Sequence, residues 1–96
     1  MTIRWTQPAN DDFLGIVEWI AAHNPTVAAP VGRRILAAVE RLADFPFRGR
    51  SGRSPDTREL VISGLPYLVV YGIEADDPRS VVILRLLHGA MLWPPG

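Results

Sequence analysis

The chain has 96 residues, with ten arginines, no lysine, ten acidic residues, no cysteine and a formal net charge of zero. This length predicts a single domain over residues 1–96 with a small core, and the 48% hydrophobic content suggests that another chain covers some apolar surface. The composition excludes disulfides, thiolate metal sites, thiol nucleophiles and lysine chemistry, and it gives no global attraction to nucleic acid or to an anionic membrane.

The remaining bulk features argue against a cofactor or a membrane anchor. Two histidines are too few for a metal site built from histidine, and no other metal-ligand cluster stands out. The N-terminus lacks a cleavable leader, and no apolar run approaches the roughly 18 residues of a membrane span. We therefore expect a cytoplasmic protein with no metal, no cofactor and no membrane contact.

The first half of the chain predicts one strand and one helix before the first turn. Residues 2–6 alternate polar and apolar side chains, which indicates a short strand. A helix is predicted over 8–23, and we place Asp11 and Asp12 in its first turn, where the helix dipole favours anions. Its core stripe has helical spacing and consists of Phe13, Ile16, Val17 and Ile20.

A second helix follows at once, which makes a helical hairpin. Asn24 and Pro25 are typical of a helix start, and the apolar spacing continues to about Asp44. Pro30 interrupts this pattern, because proline removes one backbone hydrogen bond and clashes one turn back, so we expect a kink or a restart there. The stripe consists of Ala28, Val31, Ile35, Val39 and Leu42.

The second half predicts a sheet. Residues 45–57 contain prolines, glycines and arginines and indicate a loop, and residues 89–96 form a tail with Trp93. Residues 81–84 are apolar on both faces, which favours an interior strand whose two faces are both covered. The predicted fold is α+β in the order β-α-α-β-β-β, a helical hairpin packed on an antiparallel sheet, with the last strands at 58–63, 66–74 and 80–88.

Four guanidiniums lie close together on the predicted loop and the strand that follows it. Arginine binds phosphates and carboxylates in a fixed geometry, so these side chains are candidates for contacts with nucleic acid or with an acidic protein; a solvated loop is the alternative. Phe45 and Phe47 could serve as stacking platforms or fill the base of the core. The four arginines are Arg48, Arg50, Arg53 and Arg58.

Three polar residues in the predicted strands are candidates for a chemical site. Arg58 and Arg85 have apolar neighbours, where an unpaired charge is costly, so each must face a cleft or pair with an acid such as Glu59, Glu18 or Glu40. His88 ends the last strand and can exchange a proton near neutral pH, although a structural hydrogen bond is the alternative role.

Several short motifs follow one another along nearly the whole chain. They are Trp5-Thr6, Asn24-Pro25, Val39-Glu40-Arg41-Leu42-Ala43 before Phe45-Pro46, Thr57-Arg58-Glu59-Leu60, Pro66-Tyr67 with Tyr71, and Arg85-Leu86-Leu87-His88 before Trp93-Pro94. Their order and spacing resemble the RelE/ParE superfamily of toxins from type II toxin–antitoxin modules. The resemblance implies the same helical hairpin on an antiparallel sheet.

The superfamily holds two activities, and the resemblance favours one of them. RelE- and YoeB-like members cut mRNA on the ribosome and carry an arginine in a run like Tyr-Arg-Leu-Val-Tyr, where this chain has Leu68. The lysines that RelE-like enzymes use are also missing. The strand ending in Arg85-Leu86-Leu87-His88 looks like that of ParE-like members, which poison DNA gyrase without nucleolytic chemistry of their own.

The resemblance therefore implies a ParE-like toxin that binds a macromolecular target and that a small cognate antitoxin neutralises. DNA gyrase or the ribosome is the implied target, and no small-molecule substrate is expected. One alternative is a metal-independent, ribosome-dependent mRNA endoribonuclease in which Arg58 and Arg85 bind phosphate and His88 is the general acid/base. Another is a non-toxic protein that still binds the antitoxin. The candidate target-binding residues are Arg48, Arg50, Arg53, Arg58 and Arg85.

Overall fold

The computed structural model describes residues 2–89, apart from the side chains of Pro78 and Arg79. The predicted order of helices and main strands is confirmed, and one short strand, β2, appears inside the predicted 45–57 loop. The predicted tail with Trp93 lies outside the described residues beyond Gly89. The elements are β1 (Thr2–Trp5), α1 (Gln7–His23), α2 (Pro25–Arg41), β2 (Arg50–Ser51), β3 (Arg58–Val61), β4 (Tyr67–Glu74) and β5 (Asp77–His88).

The five strands form one sheet in the order β1-β5-β4-β3-β2. Strands β2 to β5 pair antiparallel, as predicted. Strand β1 instead runs parallel to β5, from the Thr2–Ser80 pair to the Trp5–Ile83 pair, so the sheet is mixed. A parallel pair needs a long connection, and the helical hairpin with β2 to β4 provides it.

Helix α1 begins at Thr6, whose side chain is tied to both the helix and the sheet. Its hydroxyl oxygen accepts the Ala9 N–H at 3.3 Å and lies 2.9 and 3.0 Å from the carbonyl oxygens of Ile83 and Leu84. The placement of Asp11 and Asp12 in the first turn is wrong, because that turn contains no acidic residue. Asp12 has a different role, described below.

Helix α2 continues through Pro30, so the predicted restart is wrong. Pro30 is the sixth residue of the helix and removes the hydrogen bond that its position would donate to the carbonyl of Thr26. The apolar stripe nevertheless packs as predicted, and this burial holds the helix on the sheet. Its buried members are Ala28, Ile35, Val39 and Leu42.

The main core lies between the helical hairpin and one face of the sheet. That face contributes side chains such as Val69 and Ile83, both fully buried. Leu68 and Val70 alternate with Val69 and therefore point to the opposite face, where they are buried with Leu87. The expectation that residues 81–84 are covered on both faces is met in part, because Val81 and Ile83 are fully buried whereas Val82 and Leu84 are half-buried. Neither helix in the described part of the chain is long and apolar enough to cross a membrane.

Candidate functional site

Arg85 of β5 is held by Asp12 of α1. Its Nε and Nη2 donate to the two Asp12 carboxylate oxygens at 2.6 and 3.0 Å, and one of these oxygens also accepts the Leu86 N–H at 3.0 Å. The bonds to Asp12 raise the pKa of Arg85 against the opposing effect of burial. Strand β1 pairs with β5 only as far as Ile83. Beyond that point Asp12, rather than a strand, accepts the Leu86 N–H on this edge of β5. The predicted pairing of Arg85 with a glutamate is wrong.

The position of Asp12 in the sequence indicates its pairing with Arg85. Our prediction that Asp12 interacts with the helix dipole overlooked this. Asp12 lies three residues after the fully buried Ala9 and four residues before Ile16, which packs on the core. That spacing puts its carboxylate on the inward side of α1. An acid within an apolar stripe predicts a paired, half-buried group rather than a surface charge.

Glu59 of β3 is buried, with 2% of its surface exposed. Its carboxylate accepts the Arg53 N–H at 3.0 Å, the Arg53 guanidinium at 3.2 to 3.3 Å and the Arg50 guanidinium at 3.3 Å. Burial alone would raise the pKa of Glu59, but the bonds from Arg53 and Arg50 outweigh it and hold this pKa below 4.5. Two of the four clustered arginines therefore close their own loop onto β3.

This carboxylate predicts how stability depends on pH. Because the pKa of Glu59 is lower in the folded state, its contribution is present above about pH 4.5 and is lost as the pH falls through the folded value. Glu59→Gln should cost about 1–3 kcal/mol at pH 7, and the difference should shrink below pH 4.5. Urea unfolding between pH 3 and 7 measures this, with exposed Glu18→Gln as the matched control. A constant difference at all pH values would contradict the assignment.

Arg58 is next to Glu59 but does not pair with it. Consecutive residues of a strand point to opposite faces, so the predicted ion pair of Arg58 with Glu59 is wrong. Its Nη1 instead donates to the Gly49 carbonyl, and its guanidinium carbon lies 5.1 Å from the centre of the Phe47 ring. None of the ion pairs among the described residues includes Arg58. Its other N–H groups can bind an anionic ligand.

Tyr71 of β4 fixes the start of the arginine-rich loop from within the core. Its hydroxyl donates to the Pro46 carbonyl and accepts the Gly49 N–H, both at 2.8 Å. Burial raises the pKa of Tyr71, against smaller opposing effects of Gly49 and the Arg58 charge, so the hydroxyl keeps its proton. The predicted core role of Tyr71 is confirmed. Phe47, by contrast, is 62% exposed and does not fill the core.

His88 lies at the exposed end of β5. Its ring packs edge-to-face against Tyr67, with 5.9 Å between the ring centres. Both residues line a shallow cleft of about 310 Å³, together with Asp12 and Trp19 of α1. The cleft brings His88 close to the Asp12–Arg85 pair.

Arg58 does not join this group. It pairs with Tyr71 across β3 and β4, whereas His88 pairs with Tyr67 across β4 and β5. Four residues along β4 and two strand spacings across the sheet separate their backbones by about 16 Å. The three residues proposed for ribonuclease chemistry are therefore divided between two places. Within residues 2–89, no three His, Asp or Glu side chains are grouped to hold a metal ion.

Comparison with known proteins agrees with this architecture. The family model described as "ParE toxin of type II toxin-antitoxin system, parDE" matches residues 3–93. The chain belongs to the ParE toxin family. The resemblance inferred from the motifs is thereby confirmed, and so is a toxin of a type II toxin–antitoxin system.

Similar proteins from two bacteria align with the chain, and one of them carries the name RelE. The relative Y4kP of Sinorhizobium fredii is 41% identical over 92 residues, which cover 96% of this chain and 92% of Y4kP. Toxin RelE2 of Caulobacter vibrioides is 35% identical over 88 residues, or 92% of this chain and 94% of RelE2. Both alignments extend over nearly the full length of each protein.

Two solved structures share the fold. A chain of the chromosomal ParDE system of P. aeruginosa matches with a TM-score of 0.80 and 22% identity, covering 92% of this chain and 95% of that one. A chain of the RelBE2 toxin–antitoxin complex of Mycobacterium tuberculosis matches with a TM-score of 0.62 and 27% identity, covering 91% and 95%. The hairpin-on-sheet architecture is therefore that of ParE and RelE toxins.

The five candidate target-binding arginines of this ParE-family chain fall into two groups. Arg50 and Arg53 pair with Glu59, and Arg85 pairs with Asp12, so these three stabilise the fold. The exposed Arg48 lies within the segment from Pro46 to Gly49 that Tyr71 fixes, and Arg58 donates to the Gly49 carbonyl at the end of that segment. Of the five candidate target-binding residues, these two are outside the ion pairs with Glu59 and Asp12.

Proposed function

We propose that this ParE-family protein is a growth-inhibiting toxin that binds DNA gyrase in the cytoplasm and cuts no RNA. The observation that carries the proposal is the strand register, by which the backbones of Arg58 and His88 are about 16 Å apart, together with the engagement of Arg85 by Asp12. Cleavage of a phosphodiester needs charge aimed at the reacting group, which is usually the largest catalytic term. Leu68, which is buried, cannot supply the charge that RelE-like members place there.

The partner that neutralises the toxin is a small cognate antitoxin. The RelBE2 relative is described as a toxin–antitoxin complex, and the surface of the hairpin exposes large apolar side chains on both helices, with 39% to 61% of their surface accessible. Such a surface suits a helix laid across the hairpin, followed by an extended segment over the sheet. These side chains are Leu14, Trp19, Val27 and Leu36.

Induction of the chain alone in cells tests the proposal. We expect growth arrest, a DNA damage response and altered plasmid supercoiling, while transcript ends stay unchanged. Co-expression of a small protein from an adjoining reading frame should restore growth. His88→Ala is the discriminating variant, because a gyrase-binding toxin keeps its effect without this imidazole, whereas a ribonuclease that uses it as acid/base loses the effect.

Two outcomes would contradict the proposal. The ribonuclease alternative would be established if transcripts were cut at defined codons in cells that express the wild-type chain and stayed intact in cells that express His88→Ala. Normal growth under strong induction would instead favour a protein that kept antitoxin binding and lost toxicity.

A further inference from the structure

The loop after α2 exposes two large aromatic side chains side by side. Phe45 and Phe47, on either side of Pro46, have 57% and 62% of their surface exposed. With Arg41 and Arg48 they line an open cavity of about 620 Å³. We call Phe45, Phe47, Arg41 and Arg48 the aromatic patch. Contiguous exposed apolar surface of this kind marks an interaction site.

The aromatic patch rests on a fixed backbone. The Phe45 N–H donates to the Arg41 carbonyl at 3.0 Å, and the Arg48 N–H donates to the Phe45 carbonyl at 3.1 Å. The buried Tyr71 hydroxyl holds the Pro46 carbonyl, and the Arg58 guanidinium packs on the Phe47 ring. The rings are therefore presented by a preorganised loop, which lowers the entropic cost of binding.

The charge of the patch indicates the chemistry of its partner. Arg41 and Arg48 also line a neighbouring cavity of about 270 Å³ between α2 and β3, where Arg34 adds a third guanidinium. Asp44 is the one acidic residue among the described residues that line these two cavities. Arginine beside aromatic rings is the composition of protein-interface hot spots. The patch therefore suits carboxylate groups beside an apolar side chain.

The zero net charge of the chain and the apolar residues that line the neighbouring cavity favour a protein over nucleic acid as the ligand of the aromatic patch. Nucleic-acid binding depends on a long-range basic field, which this chain lacks. Ala37 and Ala38 of α2, with Leu60 and Ile62, add apolar surface beside the guanidiniums of the neighbouring cavity. The proposed antitoxin contact uses the exposed apolar side chains of the hairpin, which leaves the aromatic patch for the target.

We propose that the aromatic patch docks an acidic segment of the target protein, separately from the antitoxin. This inference rests on the proposed function. The test compares Phe45→Ala/Phe47→Ala with Trp19→Ala/Leu36→Ala on the hairpin. For each variant, growth arrest, affinity for purified gyrase and affinity for the protein of the adjoining reading frame are measured.

The two double variants should give opposite results. The Phe45→Ala/Phe47→Ala variant should bind gyrase at least about 30-fold more weakly and lose growth arrest, with antitoxin affinity within about twofold of wild type. The hairpin variant should keep growth arrest and lose antitoxin affinity. Because all four side chains are exposed, thermal unfolding should confirm that both variants fold.

Charge reversal provides a second, independent readout. Arg48→Glu should weaken gyrase binding about tenfold or more, and Arg33→Glu, on the exposed face of α2 outside both cavities, should leave it unchanged. Unchanged growth arrest in the Phe45→Ala/Phe47→Ala variant would overturn the inference. Loss of antitoxin affinity in that variant would also overturn it, as would binding of a labelled 12-nucleotide single strand that depends on the two rings.

The measurements distinguish a failure of the proposed function from a failure of the aromatic-patch inference. A wild-type chain that arrests growth without binding gyrase refutes the gyrase assignment alone, since growth arrest in the variants still tests the patch. A wild-type chain that never arrests growth refutes both.

Discussion

Replacement of Gly49 by alanine is expected to lower the free energy of unfolding by about 2–3 kcal/mol. An added Cβ would lie 2.6 Å from the Tyr71 hydroxyl oxygen and 2.9 Å from the Glu59 carbonyl oxygen, both far inside contact distance. The backbone must move to relieve this, and the Gly49 N–H would lose its bond to the buried Tyr71 hydroxyl. Urea denaturation followed by circular dichroism measures the loss.

Gly15→Ala is the matched control for Gly49→Ala. Nothing lies within 4 Å of a Cβ added at Gly15, which is exposed in the middle of α1. Alanine there should raise stability by about 0.5–1 kcal/mol, because it lowers the entropy of the unfolded chain. If Gly49→Ala were as stable as wild type, the close packing of this loop on Tyr71 would be refuted.

Asp12→Ala should lower the free energy of unfolding by about 2–3 kcal/mol. The substitution leaves the Arg85 guanidinium, whose side chain is 27% exposed, without its carboxylate, and it leaves the Leu86 N–H without its acceptor. The remaining exposure lets water stabilise Arg85 in part, which keeps the cost below that of a fully buried pair. Thermal and urea unfolding of the variant measure the effect.

Two companion variants separate the ion pair from nonspecific damage to α1. Asp11→Ala removes the neighbouring carboxylate, which is exposed and accepts a hydrogen bond from Gln7, and should change stability by less than about 0.5 kcal/mol. Asp12→Ala/Arg85→Leu should recover part of the loss, because it removes the partly buried guanidinium together with its carboxylate. Equal effects of Asp11→Ala and Asp12→Ala would show that Asp12 has no special role.

Much of the fold was predictable because its signals are local. The spacing of apolar residues in α1 and α2, and the continuous apolar run at 81–84, depend only on which side chains are buried. The parallel direction of β1 was not predictable, since alternation shows that a strand exists but not which neighbour it joins. Strand β2 has two residues and leaves no periodicity to detect. At Pro30, buried packing outweighed the local preference against proline.

The sequence allowed us to predict which residues belong to the candidate site, but not which residues they contact. The five candidate arginines are evident in the sequence, but which of them bind Glu59, which binds Asp12 and which bind neither depends on strand pleating and on where β1 ends. Arg58 and Glu59 are neighbours in sequence yet lie on opposite faces of β3. The sequence does not show whether Phe47 is buried in the core. In the structure Tyr71 bonds to the Pro46 carbonyl of its loop, and the Phe47 side chain is exposed.

The central claim, binding of gyrase without RNA cleavage, is tested most directly with purified protein. The wild-type chain is added in parallel to a gyrase supercoiling reaction and to a reconstituted translation reaction with end-labelled message. We predict that supercoiling is inhibited in proportion to the protein added, while the message stays full length on translating ribosomes. Message cut at defined codons, with gyrase activity unchanged, would contradict the account.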